Sequence, residues 1–192
     1  MFKLIFKMIY RKQLTELDFY KQDLECKLQK EIREMEQVCK EKTMQYDLIK
    51  RAFNDFKSAQ IIGIESNKVG EEVIVVLMKF CDSVHLYLYG KSYVAINQHP
   101  RIMATVQKCK NLNYVHIDDI IEVDCNIGNA SILMEYFIDI CKKMKMQYIC
   151  GWLSNYDSGH FDRIEHFYRK FNFDVKFDEN RTTGNIYLEL LY

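Results

Sequence analysis

Three consecutive stretches decide how the chain is read: YVHIDDIIEVD (114–124), CNIGNAS (125–131) and ILMEYFIDICKKM (132–144). The first is rich in β-branched residues and predicts a strand. The last repeats its apolar residues at helical spacing and predicts an amphipathic helix. Between them, Gly128 and Ala130 leave backbone open to close approach at a strand-to-helix junction. A helix that begins there presents unpaired amide N–H groups and a partial positive charge, which together bind phosphate without a lysine. The same residues also fit a tight turn in which Gly128 only supplies an unusual backbone angle.

Working outward, the downstream chain alternates. The strand MQYICGWL (146–153) is followed by a helix over about Asp162–Phe171, the strand FDVKF (173–177), the turn DENRTTG (178–184) and the strand NIYLELLY (185–192). Upstream, AQIIGIES (59–66), EEVIVVLMKF (71–80) and SVHLYLYG (83–90) are short β-rich runs joined by the turns NKVG and CD, which predicts an antiparallel meander. Pro100 marks a break, after which MATVQKC (103–109) continues the sheet. A meander that passes into strand–helix alternation is mixed α/β, with helices to cover its faces.

From Arg11 to Lys57 there is no glycine or proline, and Leu17, Leu24, Leu28, Ile32, Met35 and Cys39 recur at helical spacing. Ile49, Phe53 and Phe56 resume the stripe, while pairs such as Asp23 with Lys27 suit a solvated face. A continuous helix of this kind runs on the order of 70 Å at about 1.5 Å per residue, farther than one small domain covers. Either it turns back as a hairpin or another chain covers it. For Leu17 to Met35 the expectation is self-association, as a homodimer and possible coiled coil. The chain therefore divides into a helical segment, 1–57, and an α/β domain, 58–192. The apolar and basic start, MFKLIFKMIY, is followed by no cleavage site and is too short to span a membrane. It fits an extended strand or a short interfacial foot, and membrane contact is not expected.

Composition narrows the function classes. The 192 residues are 48% hydrophobic, and 27 Lys and Arg balance 27 Asp and Glu, so bulk charge gives no reason to expect nucleic acid. Seven cysteines without a C-x-x-C pair fit reduced thiols in a cytoplasmic protein, with no metal site.

The order of elements from Ala59 to Tyr192 resembles the GNAT (N-acetyltransferase) superfamily, apart from the paired helices that usually follow its first strand. The family's pyrophosphate motif, Arg or Gln, two residues, Gly, one residue, then Gly or Ala, falls on Cys125 to Ala130. Gly128 and Ala130 match it, and Cys125 departs from it. A second stretch, HFYRKFNFDV (166–175), is similar to the family's Tyr-x-x-x-Gly-Phe signature at Tyr168 and Phe173, with Asn172 in place of glycine. The run from Asn126 to Phe173 looks like an uncharacterised bacterial or mobile-element subgroup. The resemblance implies a GNAT-like α/β fold: a mixed, mostly antiparallel sheet flanked by helices, here preceded by a long N-terminal helix.

It also implies a coenzyme A-dependent N-acyltransferase, moving acetyl from acetyl-CoA to an amine of a small molecule or protein by direct transfer. The alternative is a catalytically degenerate GNAT-fold module for binding or oligomerisation. On the first reading, Asn126, Ile127, Gly128, Asn129, Ala130 and Ser131 hold the cosubstrate. Tyr168 is the expected acid for the leaving thiolate and Glu122 the expected base, with Asp118, Asp119 and Asp124 as competitors. Asp157 and His160 suggest an acid–histidine pair, and Asp157 or Ser158 a cap for the last helix. A thiol nucleophile, Cys125 or Cys150 with His116 or His160, has only composition behind it.

Overall fold

The computed structural model describes residues 2–56, 58–93, 98–109, 112–124 and 126–191. Helix α1 runs Phe2–Asp55. The N-terminal residues are therefore helical, which removes the extended-strand alternative for them. Phe6 and Tyr10 stack one turn apart at 6.5 Å, and farther along Lys27 closes the expected pair on Asp23 at 2.6 Å.

The chain has two compact units, Met1–Asp47 and Leu48–Tyr192. The first is helix throughout its described residues, and Phe6, Leu17, Leu24 and Leu28 on it are exposed. The second holds the last turns of α1 and an eight-stranded sheet in the order β1-β2-β3-β4-β5-β6-β8-β7. Its strands are β1 (Gln60–Ser66), β2 (Glu72–Lys79), β3 (Ser83–Tyr89), β4 (Arg101–Cys109), β5 (Leu112–Ile121), β6 (Tyr148–Leu153), β7 (Asp174–Phe177) and β8 (Gly184–Glu189). All neighbours pair antiparallel except β5 and β6. A parallel pair needs a crossover, and helix α2 (Asn129–Lys143) supplies it. Helix α3 (Phe161–Lys170) leads from β6 into the β7–β8 hairpin. This is the GNAT-like mixed sheet with flanking helices that the resemblance implies.

The sheet is buried on two faces for different reasons. Val73, Val75 and Leu77 of β2 join α2 residues such as Leu133, Met134 and Phe137 in the main core. Ile74 and Val76, pointing the other way along the same pleat, pack with Leu48, Ala52 and Tyr89. The Tyr89 hydroxyl donates to Asp55 at 2.9 Å and fixes the end of α1 over β3.

Both flanking helices stop in the same way. After α3, Asn172 takes φ 64°, and its N–H donates to the Arg169 carbonyl while that of Phe173 donates to Tyr168. These two bonds, with the Tyr168 and Phe173 rings 5.2 Å apart, make a Schellman cap, whose left-handed residue is glycine most often and asparagine next. So Tyr168, Asn172 and Phe173 are the structural positions of one cap, and asparagine fills the glycine position within its rules. At the end of α2, Lys145 takes the left-handed place with φ 57°, and Met146 donates to Cys141.

Candidate functional site

β5 and β6 pair only from Tyr114 to Ile117 and from Tyr148 to Gly151. Both strands continue, β5 to Ile121 and β6 to Leu153. A bulge stands where they part: across from β4, Met103 faces Asp119 and Ala104 faces Ile117, leaving Asp118 as the extra residue. A bulge bends and twists the strand that carries it. Beyond it a cleft of about 470 Å³ opens, lined by the diverging strands, the start of α2 and one side of α3.

At the α2 end of the cleft, Gly128 is the N-cap, with φ 91° and no side-chain cap. The first N–H to bond within the helix is that of Ile132, to the Gly128 carbonyl, so the amides of Asn129, Ala130 and Ser131 precede the internal ladder. No carboxylate lies in this first turn to compete for them. Asn126, Gly128, Ala130 and Ser131 line the cleft. Ile127 and Asn129 do not, and each has a supporting contact instead. The Ile127 carbonyl accepts the Lys68 N–H at 2.9 Å. The fully buried Asn129 side chain donates to the Tyr93 hydroxyl at 2.5 Å and accepts from Asn67 at 3.3 Å. The conformational reading of Gly128 is thus correct in itself, since φ 91° strains any side chain. Added bulk there would meet only the flexible Lys68 side chain, at 3.1 Å. Cys125 lies outside the described residues.

Tyr168 lines the same cleft and is only 6% exposed. Its hydroxyl makes no hydrogen bond among the described residues. Burial, together with the nearby Asp157 and Asp119 carboxylates, raises its pKa well above the ordinary phenol value. It therefore keeps its proton at any working pH.

Glu122, partly buried just past the end of β5, also faces the cleft. Its competitors differ in what holds them. Asp118 accepts from Thr105 at 2.8 Å and lies 3.0 Å from His116 Nδ1, and Asp124 accepts from the Tyr93 hydroxyl at 3.2 Å. Asp119 and Asp157 line the cleft beside Tyr168. The expected pairing of Asp157 with His160 does not form among the described residues; the histidine–carboxylate pair that does is His116 with Asp118. Nor does Asp157 or Ser158 cap α3. A 3-10 turn, Asn155–His160, comes first and places His160 at the N-cap, while Ser154 accepts the Tyr156 N–H at 3.2 Å. Burial raises the Cys150 thiol's pKa, which opposes a thiolate nucleophile.

Two residues that sequence reading missed are Lys68 and Lys170. Lys68, in the β1–β2 turn, packs its stem against Gly128, and Lys170 on α3 donates to the Ser131 hydroxyl at 3.0 Å. Both line the cleft where α2 begins. Lys170 had a local signal, two positions beyond Tyr168 in the second motif. Lys68 had none, because its turn meets α2 only after the sheet has formed. Among the described residues no group of three or more His, Cys, Asp or Glu is placed to hold a metal ion, and none of their helices is long and apolar enough to cross a membrane.

No protein-family model matches the chain. It is 29% identical over 142 residues to the uncharacterized protein YocC of Bacillus subtilis (strain 168), covering 68% of this chain and 76% of that one. Among solved structures it is similar to a Bacillus anthracis (strain Ames) protein assigned as a streptothricin acetyltransferase and crystallised with acetyl coenzyme A. That similarity has a TM-score of 0.41 and 15% identity, and covers 69% of this chain and 89% of the other. The strand pairing given above, and not this loose superposition, establishes the fold.

Proposed function

We propose that the unit from Leu48 to Tyr192 is a coenzyme A-dependent N-acetyltransferase. The observation that carries this reading is the meeting, in one cleft, of the open first-turn amides of α2 and the largely buried Tyr168. The amides around Gly128 to Ser131, helped by the nearby Lys68 and Lys170 ammonium groups, suit a pyrophosphate. Acetyl-CoA would supply the activated acyl group as a thioester. Tyr168 gives its proton to the departing thiolate. Glu122 takes the proton of an amine acceptor, with Asp119 as the nearest substitute. The acceptor is an amine of a small molecule or a protein. Separately, residues 17–39 of α1 associate with a second copy through the exposed stripe Leu17, Leu24, Leu28, Ile32 and Met35.

Calorimetry with acetyl-CoA tests the cosubstrate. Lys68→Glu combined with Lys170→Glu changes two exposed side chains and leaves the fold intact, and is expected to weaken binding at least about tenfold. Gly128→Val is a poorer test, since it strains the backbone at φ 91° as well as adding bulk. If the wild type binds no acetyl-CoA and none co-purifies in a native mass spectrum, the binding-module reading replaces this one.

A further inference from the structure

Residues 2–12 differ from the rest of the helical unit in both charge and shape. Phe2, Phe6 and Tyr10 follow one another at i, i+4 and i+8, and Lys3, Lys7 and Arg11 make the adjacent row. Neighbours four apart lie on one side of a helix, so an aromatic stripe runs beside a cationic one. Phe2, Lys3, Phe6, Lys7 and Tyr10 line one shallow groove. The rings are open to solvent, Phe2 at 92% and Phe6 at 73%.

Charge separates this end from the self-association stripe. Residues 2–15 hold four cations, Lys3, Lys7, Arg11 and Lys12, and no carboxylate, whereas residues 16–47 hold nine carboxylates and six cations. A coiled-coil seam gains from charges of both signs along its flanks. Two copies side by side over residues 2–12 would bring like charges together and have no acid to answer them. An anionic lipid surface satisfies both rows at once: the phosphates meet the lysines, and the rings enter the boundary between headgroups and acyl chains. The segment is too short to span a membrane. Lying on a surface demands no such length, and it demands a helix, which the structure supplies.

We propose that residues 2–12 are an interfacial foot that binds the protein to anionic membrane surfaces through Phe2, Phe6 and Tyr10 and the cations Lys3, Lys7 and Arg11. The inference is independent of what the cleft catalyses.

Co-sedimentation with sucrose-loaded vesicles tests it. The full chain is expected to pellet with vesicles of equal parts phosphatidylglycerol and phosphatidylcholine, and to stay in solution with phosphatidylcholine alone. Raising salt to about 0.5 M should weaken binding, because screening shortens the reach of the headgroup charge. Phe2→Asp with Phe6→Asp should lower partitioning at least about tenfold while leaving far-ultraviolet circular dichroism unchanged. Lys3→Gln with Lys7→Gln should remove the preference for the anionic lipid. Wild type that ignores both vesicle types overturns the proposal. So does a Phe2/Phe6 variant that binds as wild type does, or one whose only change is a smaller sedimenting mass, which would assign the stripe to a protein seam.

Discussion

Leu24 and Leu48 stand on the same helix, yet Leu24 is 48% exposed and Leu48 only 4%. Leu48 belongs to the unit that contains the sheet, and Ile74, Val76 and Tyr89 cover it. Leu24 belongs to a unit that is helix throughout its described residues. A stripe of leucines therefore specifies which face of a helix avoids water. It does not specify what takes the water's place. In one unit the answer is inside the chain, and in the other the stripe stays open.

The strongest way to break this contrast is to charge the open stripe. Leu24→Glu with Leu28→Glu would bury carboxylates in a seam between copies, at a cost of several kcal/mol of association. Sedimentation should show the mass fall to that of one chain while the thermal unfolding of the sheet unit is unchanged. A wild type that is already a single chain at tens of micromolar would end the dimer proposal.

On the other side of the contrast, Leu48→Ala should cost about 2–5 kcal/mol in urea unfolding, the range for emptying a packed leucine site. Leu24→Ala should stay within about 0.5 kcal/mol in a single chain, as exposed positions do. Equal losses at the two sites would mean that the periodicity alone, and not the cover, sets the energy.

If the covered unit also owns the chemistry, Tyr168→Phe should lower turnover about 10²-fold, roughly 2.7 kcal/mol, once an acceptor is found. Acetyl-CoA affinity should hold, since the ring and its packing on Phe173 remain. Intact activity with a small stability loss would return Tyr168 to its role in the helix cap alone.

The smallest effect comes from a polar group that only the packed unit has. His99 is fully buried, stacked on Tyr89 at 4.0 Å, and its Nε2 has no partner among the described residues. Burial lowers its pKa below the ordinary histidine value, as it does for the half-buried His85. The unfolded chain then binds the extra proton first, so stability is full above pH about 6.5 and falls as pH drops below it. For a single group the slope cannot exceed about 1.4 kcal/mol per pH unit. Urea unfolding at descending pH should show this loss and should show less of it in His99→Asn; a flat profile would contradict it.

Much of the fold was legible because its signals are local. The alternation of strands, the glycine-free helix and the junction at Gly128 each depend on residues within a few positions of one another. The Tyr168, Asn172 and Phe173 pattern is local too, since a helix cap needs a left-handed residue and two apolar neighbours within one turn. The chain could not announce which carboxylate faces the cleft. That depends on the Asp118 bulge, a matter of register against β4, where one extra residue re-aims every side chain after it. Nor could it place Lys68 against Gly128, or join Asn67 to Asn129 across 62 residues. Sequence by itself determined the elements, their order and the apolar faces they present, because these follow from backbone propensity and side-chain period. Only the tertiary structure decided which polar groups share a cleft and which apolar face stays open, because those depend on contacts between residues far apart in the chain.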